Sequence, residues 1–307
     1  DEMPAPDGEE DFIMSVAFAF HRWGDGEGIF DYKKEALDLL DKFKNRKRIT
    51  GKSKNMDGTR DVTGVALVNP DTKMVRFTPD TSNFKVNGDH TNPSYHLPAF
   101  YELWALFGPE KDKAFWQEAA EVSRNFYLKA THPETGLAPD YANFDGTPVS
   151  ASFNKGSDGF CWDAWRTVMN WATDYHWFAK DPRQKALSNR IQAFFEKQGM
   201  HTYRGCYTLE GGPAEGSNGK WHSVGLVAAN SVGSLTATHT RAWDFIDSAW
   251  SSAVPTGTYR YYDGMLLMFA LLHLSGNYKI YLPGHREKLA AEQAADAETS
   301  EALEISE

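Results

Sequence analysis

The sequence predicts an all-α fold whose helices pack pairwise, as hairpins or as a closed ring. Nine stretches carry apolar residues at helical spacing, Gly-, Pro-, Asn- and Asp-rich connections separate many of them, and strand pattern is almost confined to short hairpins. With 307 residues and no low-complexity break before the last twenty or so, one large repeat-built domain is preferred to two fused ones.

The elements follow in order. Glu9 to Trp23 places Phe12, Ile13, Val16, Ala17 and Phe20 on one face, and Gly24 stops the helix. Tyr32 to Phe43 repeats the pattern with Ala36, Leu37, Leu39 and Leu40. Residues 45–95 read instead as a long excursion containing a hairpin, with a turn at Asn69-Pro70-Asp71 between short strand-like runs. Helical pattern returns at 97–107, 112–130, 163–179, 183–197, 223–238, 241–252 and 263–275. Residues 286–307 are acidic and Ala-rich without aromatics, which predicts a solvated helix or disordered tail with no catalytic role.

Composition narrows the function. A formal charge of −10, with no basic run beyond the short stretch from Lys42 to Lys54, argues against a nucleic-acid partner. No apolar run reaches 18 residues, so no membrane span is expected. Cys161 and Cys206 are the two cysteines and can form at most one bridge. HExxH, CxxC, GxSxG, GxGxxG and phosphate-loop patterns are all missing, so neither metal nor nucleotide cofactor is expected. What remains is carboxylates among 10 Trp, 13 Tyr and 19 Phe, the residue types of glycoside hydrolysis.

Two carboxylates stand out. Asp7, in APDGEED, lies just before the first helix, where it can cap free N–H groups or touch substrate. Asp163, in GFCWDAWRT, lies at the head of a helix between Trp162 and Trp165, and is read either as a cap or as a water-activating base. Arg166 follows about one turn later, where it can orient the Asp163 carboxylate. Tyr203 sits in one loop and His222 in another, while Tyr262 opens the last helix. Each is a substrate-binding candidate, although a plain loop histidine is the preferred reading of His222 taken alone.

Taken together, four stretches resemble glycoside hydrolase family 8 in the same order: Ala5 to Gly24 (APDGEEDFIMSVAFAFHRWG), Asn92 to Trp104 (NPSYHLPAFYELW, with Tyr95), Phe160 to Phe178 and Tyr261 to Tyr278. The resemblance covers about 1–285 and is nearest to the reducing-end xylose-releasing exo-oligoxylanases. It implies an (α/α)6 barrel of twelve helices, and hydrolysis of β-1,4 links with inversion and without a cofactor. Asp163 would be the general base, Asp7 would hold the distorted central sugar, Arg166 would support Asp163, and Trp162, Tyr95, Tyr203, His222 and Tyr262 would line the substrate site. The partner implied is a xylo-oligosaccharide or related β-1,4-glycan, and the complete protein is expected to be a monomer. A cytoplasmic location is preferred for an oligosaccharide-trimming enzyme, with secretion as the alternative.

Nine helices against twelve imply that about three precede residue 1, together with the general-acid Glu, since none of Glu9, Glu10 or Glu27 occupies its place. The loop from Lys220 to Val224 resembles the Leu-His-Pro loop that closes the cleft in the exo branch, with Trp221 in place of Leu, His222 retained and Ser223 in place of Pro. Exo action is therefore preferred to an endo-xylanase or glucanase. From other classes, a non-catalytic carbohydrate-binding protein and a uronate-acting lyase or epimerase are the alternatives.

Overall fold

The computed structural model describes residues 5–52, 61–79, 90–214 and 219–281. Among them lie nine α-helices: α1 (Pro6–Trp23), α2 (Tyr32–Asn45), α3 (Pro98–Phe107), α4 (Lys113–Ala130), α5 (Trp165–Phe178), α6 (Arg183–Gln198), α7 (Val224–Gly233), α8 (Ala242–Trp250) and α9 (Arg260–Leu274). All nine coincide with the sequence-predicted stretches, differing at their ends. The acidic tail 286–307 lies outside the described residues.

The differences at the ends have local causes. Pro6 begins α1 earlier than the apolar pattern does, because proline's fixed φ and missing N–H suit the first helical position. Asp7 is thus inside the first turn and not its cap; the N-cap is Ala5, which makes no side-chain cap bond. Gly24 ends α1 at φ 81°, a conformation open to glycine. The predicted 223–238 helix stops at Gly233, where the chain tightens: Leu235 N–H donates to Val232 O at 3.0 Å and Thr236 Oγ1 to Gly233 O at 3.1 Å.

The excursion after α2 is a hairpin region. Strand β1 (Ile49–Lys52) pairs antiparallel with β2 (Asp61–Gly64), Ile49 opposite Gly64. The predicted Asn69 turn is present: Asn69 Oδ1 accepts the Asp71 and Thr72 amides, and Asn69 N–H donates to Met74 O at 2.9 Å. A two-residue pairing of β3 (His90–Thr91) with β4 (Ala142–Asn143) ties the end of the excursion to the loop after α4.

The helices pack as antiparallel hairpins α1/α2, α3/α4, α5/α6 and α7/α8, while α3, α5, α7 and α9 contact one another in sequence. This is an arc of α/α-barrel hairpins with α1 and α9 at its two ends. One apolar cluster joins α1 through α4 around Ile13, Leu40, Trp104 and Trp116, and a second joins α5 through α9 around Trp165, Trp171, Phe195 and Leu226. A cavity of about 240 Å³ lies between α1, α3, α5 and α9, with Asp7, Asp11 and Arg166 at its polar end.

Buried polar pairs fix how these helices meet. Glu10 of α1 is 0% exposed and accepts the Tyr101 hydroxyl of α3 at 2.7 Å; burial pushes its carboxyl well above the usual range. That pairing packs α1 against α3. Arg124 of α4, 3% exposed, donates from Nε and Nη2 to both oxygens of Asp174 on α5 at 2.8 Å and lies 2.9 Å from Glu102 on α3. Three helices thus share one guanidinium. Arg124→Met is expected to leave the buried Asp174 carboxylate with no cation and only the Gln184 amide, Glu102 keeping Lys180 at 2.7 Å, and to lower the unfolding free energy in urea by about 3–5 kcal/mol; a loss below about 1 kcal/mol contradicts this account.

Candidate active site

The turn Cys161-Trp162-Asp163-Ala164 enters α5 as a single 3-10 turn, Trp162–Ala164. Trp162 has φ 23°, a left-handed backbone that a bulky residue adopts only when its surroundings enforce it. The enforcing contacts come from several elements. Below the turn, buried Asp140 accepts the Ala164 N–H through Oδ1 at 3.0 Å. From α9, the Tyr262 hydroxyl donates to Trp162 O at 3.0 Å. A disulfide joins Cys161 to Cys206, and Phe160 and Tyr207 exchange both backbone hydrogen bonds at 2.9 Å.

Asp163 makes no cap bond. Its Oδ2 accepts from Asn92 Nδ2 at 2.9 Å and its Oδ1 lies 3.2 Å from Arg166 Nη2, while 32% of the side chain stays exposed. Asn92 is oriented because its own oxygen accepts the Ser94 amide at 2.9 Å, which turns its NH₂ toward the carboxylate. Arg166 also pairs with Asp7 through Nη1 and lies over the Tyr95 ring, 5.8 Å from its centroid. One guanidinium therefore spans both candidate carboxylates and offsets their mutual repulsion. Burial works against the Arg166 charge, and Tyr262, Asp163 and Asp7 outweigh it, so its pKa is raised.

A chain of aromatic rings begins at Trp162, the residue before Asp163. Trp162 lies 5.5 Å from Trp165 and 5.5 Å from Trp221, and Trp221 lies 4.9 Å from Tyr259. An oriented, partly exposed carboxylate next to indole faces can accept a proton from water while a sugar's C–H face packs on the rings. Among the described residues no group of three or more His, Cys, Asp or Glu could hold a metal ion, and no helix is long and apolar enough to cross a membrane.

The family model for glycosyl hydrolases family 8 matches residues 1–276. The chain belongs to glycosyl hydrolase family 8. It is 41% identical over 278 residues to a reducing-end xylose-releasing exo-oligoxylanase of Paenibacillus barcinonensis, covering 91% of this chain and 67% of that protein. A reducing-end xylose-releasing exo-oligoxylanase of Bifidobacterium adolescentis is 35% identical, with 90% and 68% covered. The crystal structure of a family 8 xylobiose complex from Teredinibacter turnerae superposes with a TM-score of 0.86 at 46% identity, over 92% of this chain and 69% of that one. The arc of hairpins is thus the (α/α)6 barrel fold of this family, and the chain spans about two thirds of the length of these relatives.

Within this family 8 chain, Asp7, Tyr95, Trp162, Asp163, Arg166 and Tyr262 lie together, each through a contact given above. Tyr203 does not join them: it is 1% exposed, packed against Phe195 at 4.8 Å, so its ring belongs to the core and cannot meet a sugar. His222 is held by Tyr203, with Nδ1 2.9 Å from its carbonyl oxygen, and lines a separate polar recess with His201, Arg241 and Asp244. The sequence marks Asp140 only as part of the charged, aromatic loop 136–141, and Asn92 only within the stretch 92–104. Each partners a residue remote in sequence, and only the Asn-Pro-Ser cap pattern at Asn92 gave a local sign that its amide would be oriented.

Asp140 is the group whose ionisation bears most directly on this turn, and burial raises its pKa well above 3.8. The folded chain then binds more protons at this site than the unfolded one, so its stability falls as pH rises above about the unfolded value. Asp140→Asn keeps an acceptor for Ala164 N–H and cannot ionise. Its urea midpoint is expected to gain on that of the unaltered chain between pH 4 and pH 7; a gap that stays constant or narrows contradicts the assignment.

Proposed function

We propose that this protein hydrolyses β-1,4-xylosidic bonds with inversion and releases xylose from the reducing end of xylo-oligosaccharides. The observation that carries the reading is the Arg166 guanidinium shared by Asp7 and Asp163. Asp163, oriented by Asn92 and Arg166 and open on one side, removes a proton from the attacking water. Asp7 holds the central sugar from the other arm of the same guanidinium. The family 8 relatives described as reducing-end xylose-releasing exo-oligoxylanases support the substrate and the direction of attack.

Inversion also needs a protonated carboxyl about 6.5–9.5 Å from the base, to leave room for water. The reading therefore assigns to Asp163 the base of the reaction and to no described residue the acid. Xylohexaose followed by anomer-resolved NMR tests it in the whole protein. The new reducing end is expected to appear first as the α anomer, and xylose is expected before mid-length products. Asp163→Asn is expected to lower kcat about 10²- to 10⁴-fold with KM little changed. Mixed mid-length products favour the endo-acting alternative. A full rate with Asn at 163 sinks the catalytic reading in favour of a carbohydrate-binding role.

A further inference from the structure

We propose that His96 is a positioning residue that acts on Asp163 through Asn92. Its imidazole closes the buried turn 91–96 and so holds the Asn92 amide on the Asp163 carboxylate, a role that rests on the reading of Asp163 as the base.

The segment that leads from β3 into α3 is polar and yet buried. Thr91, Asn92 and His96 are 0% exposed, and Ser94 is 2% exposed. Connections normally run over the surface, where water satisfies their polar groups. Here protein groups take that place. Tyr95 N–H donates to Asn92 O at 2.9 Å across the 3-10 turn Pro93–Tyr95, Asn170 Nδ2 of α5 donates to Ser94 O at 2.7 Å, and the Tyr127 hydroxyl of α4 donates to His96 O. Burying polar groups costs stability unless they are paired, and a paired network holds one geometry.

His96 is the side chain that closes this segment. Its Nε2 lies 3.1 Å from the Oγ1 of Thr91, the residue before Asn92, and its Nδ1 lies 2.9 Å from Ser123 Oγ on α4. The ring also stacks on Phe126 of α4, with centroids 4.4 Å apart. One imidazole therefore ties the two ends of the turn to each other and both to α4. Its partners are hydroxyls, which can donate or accept, so the neutral ring is satisfied in either tautomer. Burial lowers the His96 pKa to about 3, which keeps the ring neutral above that pH.

Inside the closed turn, Asn92 has one direction open to it. Its Oδ1 accepts the Ser94 amide and its Nδ2 donates to Asp163 Oδ2, each at 2.9 Å. Where that amide stands depends on the backbone at 91 and 92, which the Thr91 contact with His96 fixes. Asp163 is held by this amide on one oxygen and by Arg166 on the other. A reacting group misplaced by about 1 Å can lose about 10²-fold in rate, so a clamp with no sugar contact of its own is felt in kcat.

Steady-state kinetics of the whole protein on xylohexaose, well below the melting temperature of each variant, tests this. His96→Phe keeps a ring against Phe126 and loses both nitrogens; kcat is expected to fall about tenfold with KM changed less than about twofold. His96→Gln, whose amide can reach Thr91, is expected to recover most of the loss, and His96→Asn, which reaches only as far as Ser123, is not. In an Asn92→Ala background His96→Phe is expected to lower kcat by less than about a further twofold, because the amide through which it acts is already gone. Thr91→Val serves if His96→Phe does not fold, with kcat down about threefold and the same loss of effect beside Asn92→Ala. Unchanged kcat, a rise in KM alone, or full multiplication of the two single effects overturns the proposal and leaves the Asp163 assignment standing. A full rate with Asp163→Asn removes the base reading, and this proposal with it.

Discussion

The site depends on one guanidinium serving two carboxylates. Arg166, the second residue of α5, pairs with Asp163 before that helix and with Asp7 in the first turn of α1. Two carboxylates brought together in a partly closed cleft repel each other, and each loses water. A fork of N–H donors between them offsets both effects and fixes their relative position. The rest of the barrel arc can be understood as the means of bringing α1 and α5 to the two arms of that fork.

That placement passes through α3. Glu10 and Tyr101 pin α1 to α3, and Arg124 ties α3 and α4 to α5 through Glu102 and Asp174. Asn92, just before α3, then reaches Asp163 itself. Polar contacts thus tie α1, α4 and the turn before α5 to α3 and the segment leading into it. Apolar packing gives the helices their neighbours, while these directed bonds set their rotation and height, which packing alone specifies loosely.

Most of the fold was legible because amphipathic helices write their periodicity locally. Helix ends were less so: the apolar pattern could not show that Pro6 would start α1, or that the chain would tighten after Gly233. The site was legible in part. Asp163 and Arg166 stand three residues apart on one helical path, so their pairing follows from spacing, whereas Asn92 and Asp163 are separated by 71 residues and meet only through the packing of α3 on α5. Tyr203 and His222 show the converse limit. A loop residue of binding type can face the core, and the backbone that decides between the two was not written in their neighbourhood.

The Cys161–Cys206 bridge closes a loop of 45 residues that contains α5 and α6, with the Asp163 turn at one end and the loop of Gly219 and Trp221 hydrogen-bonded to the other. Chain-entropy reasoning puts the stabilisation from such a closure at about 4 kcal/mol. Under reducing conditions that contribution disappears, and the two segments are held together by the Phe160–Tyr207 hydrogen bonds, with Gly205 still bonded to Gly219 and Trp221. The redox state in which the protein is prepared therefore becomes a variable of its ligand geometry, on the same footing as pH or ionic strength.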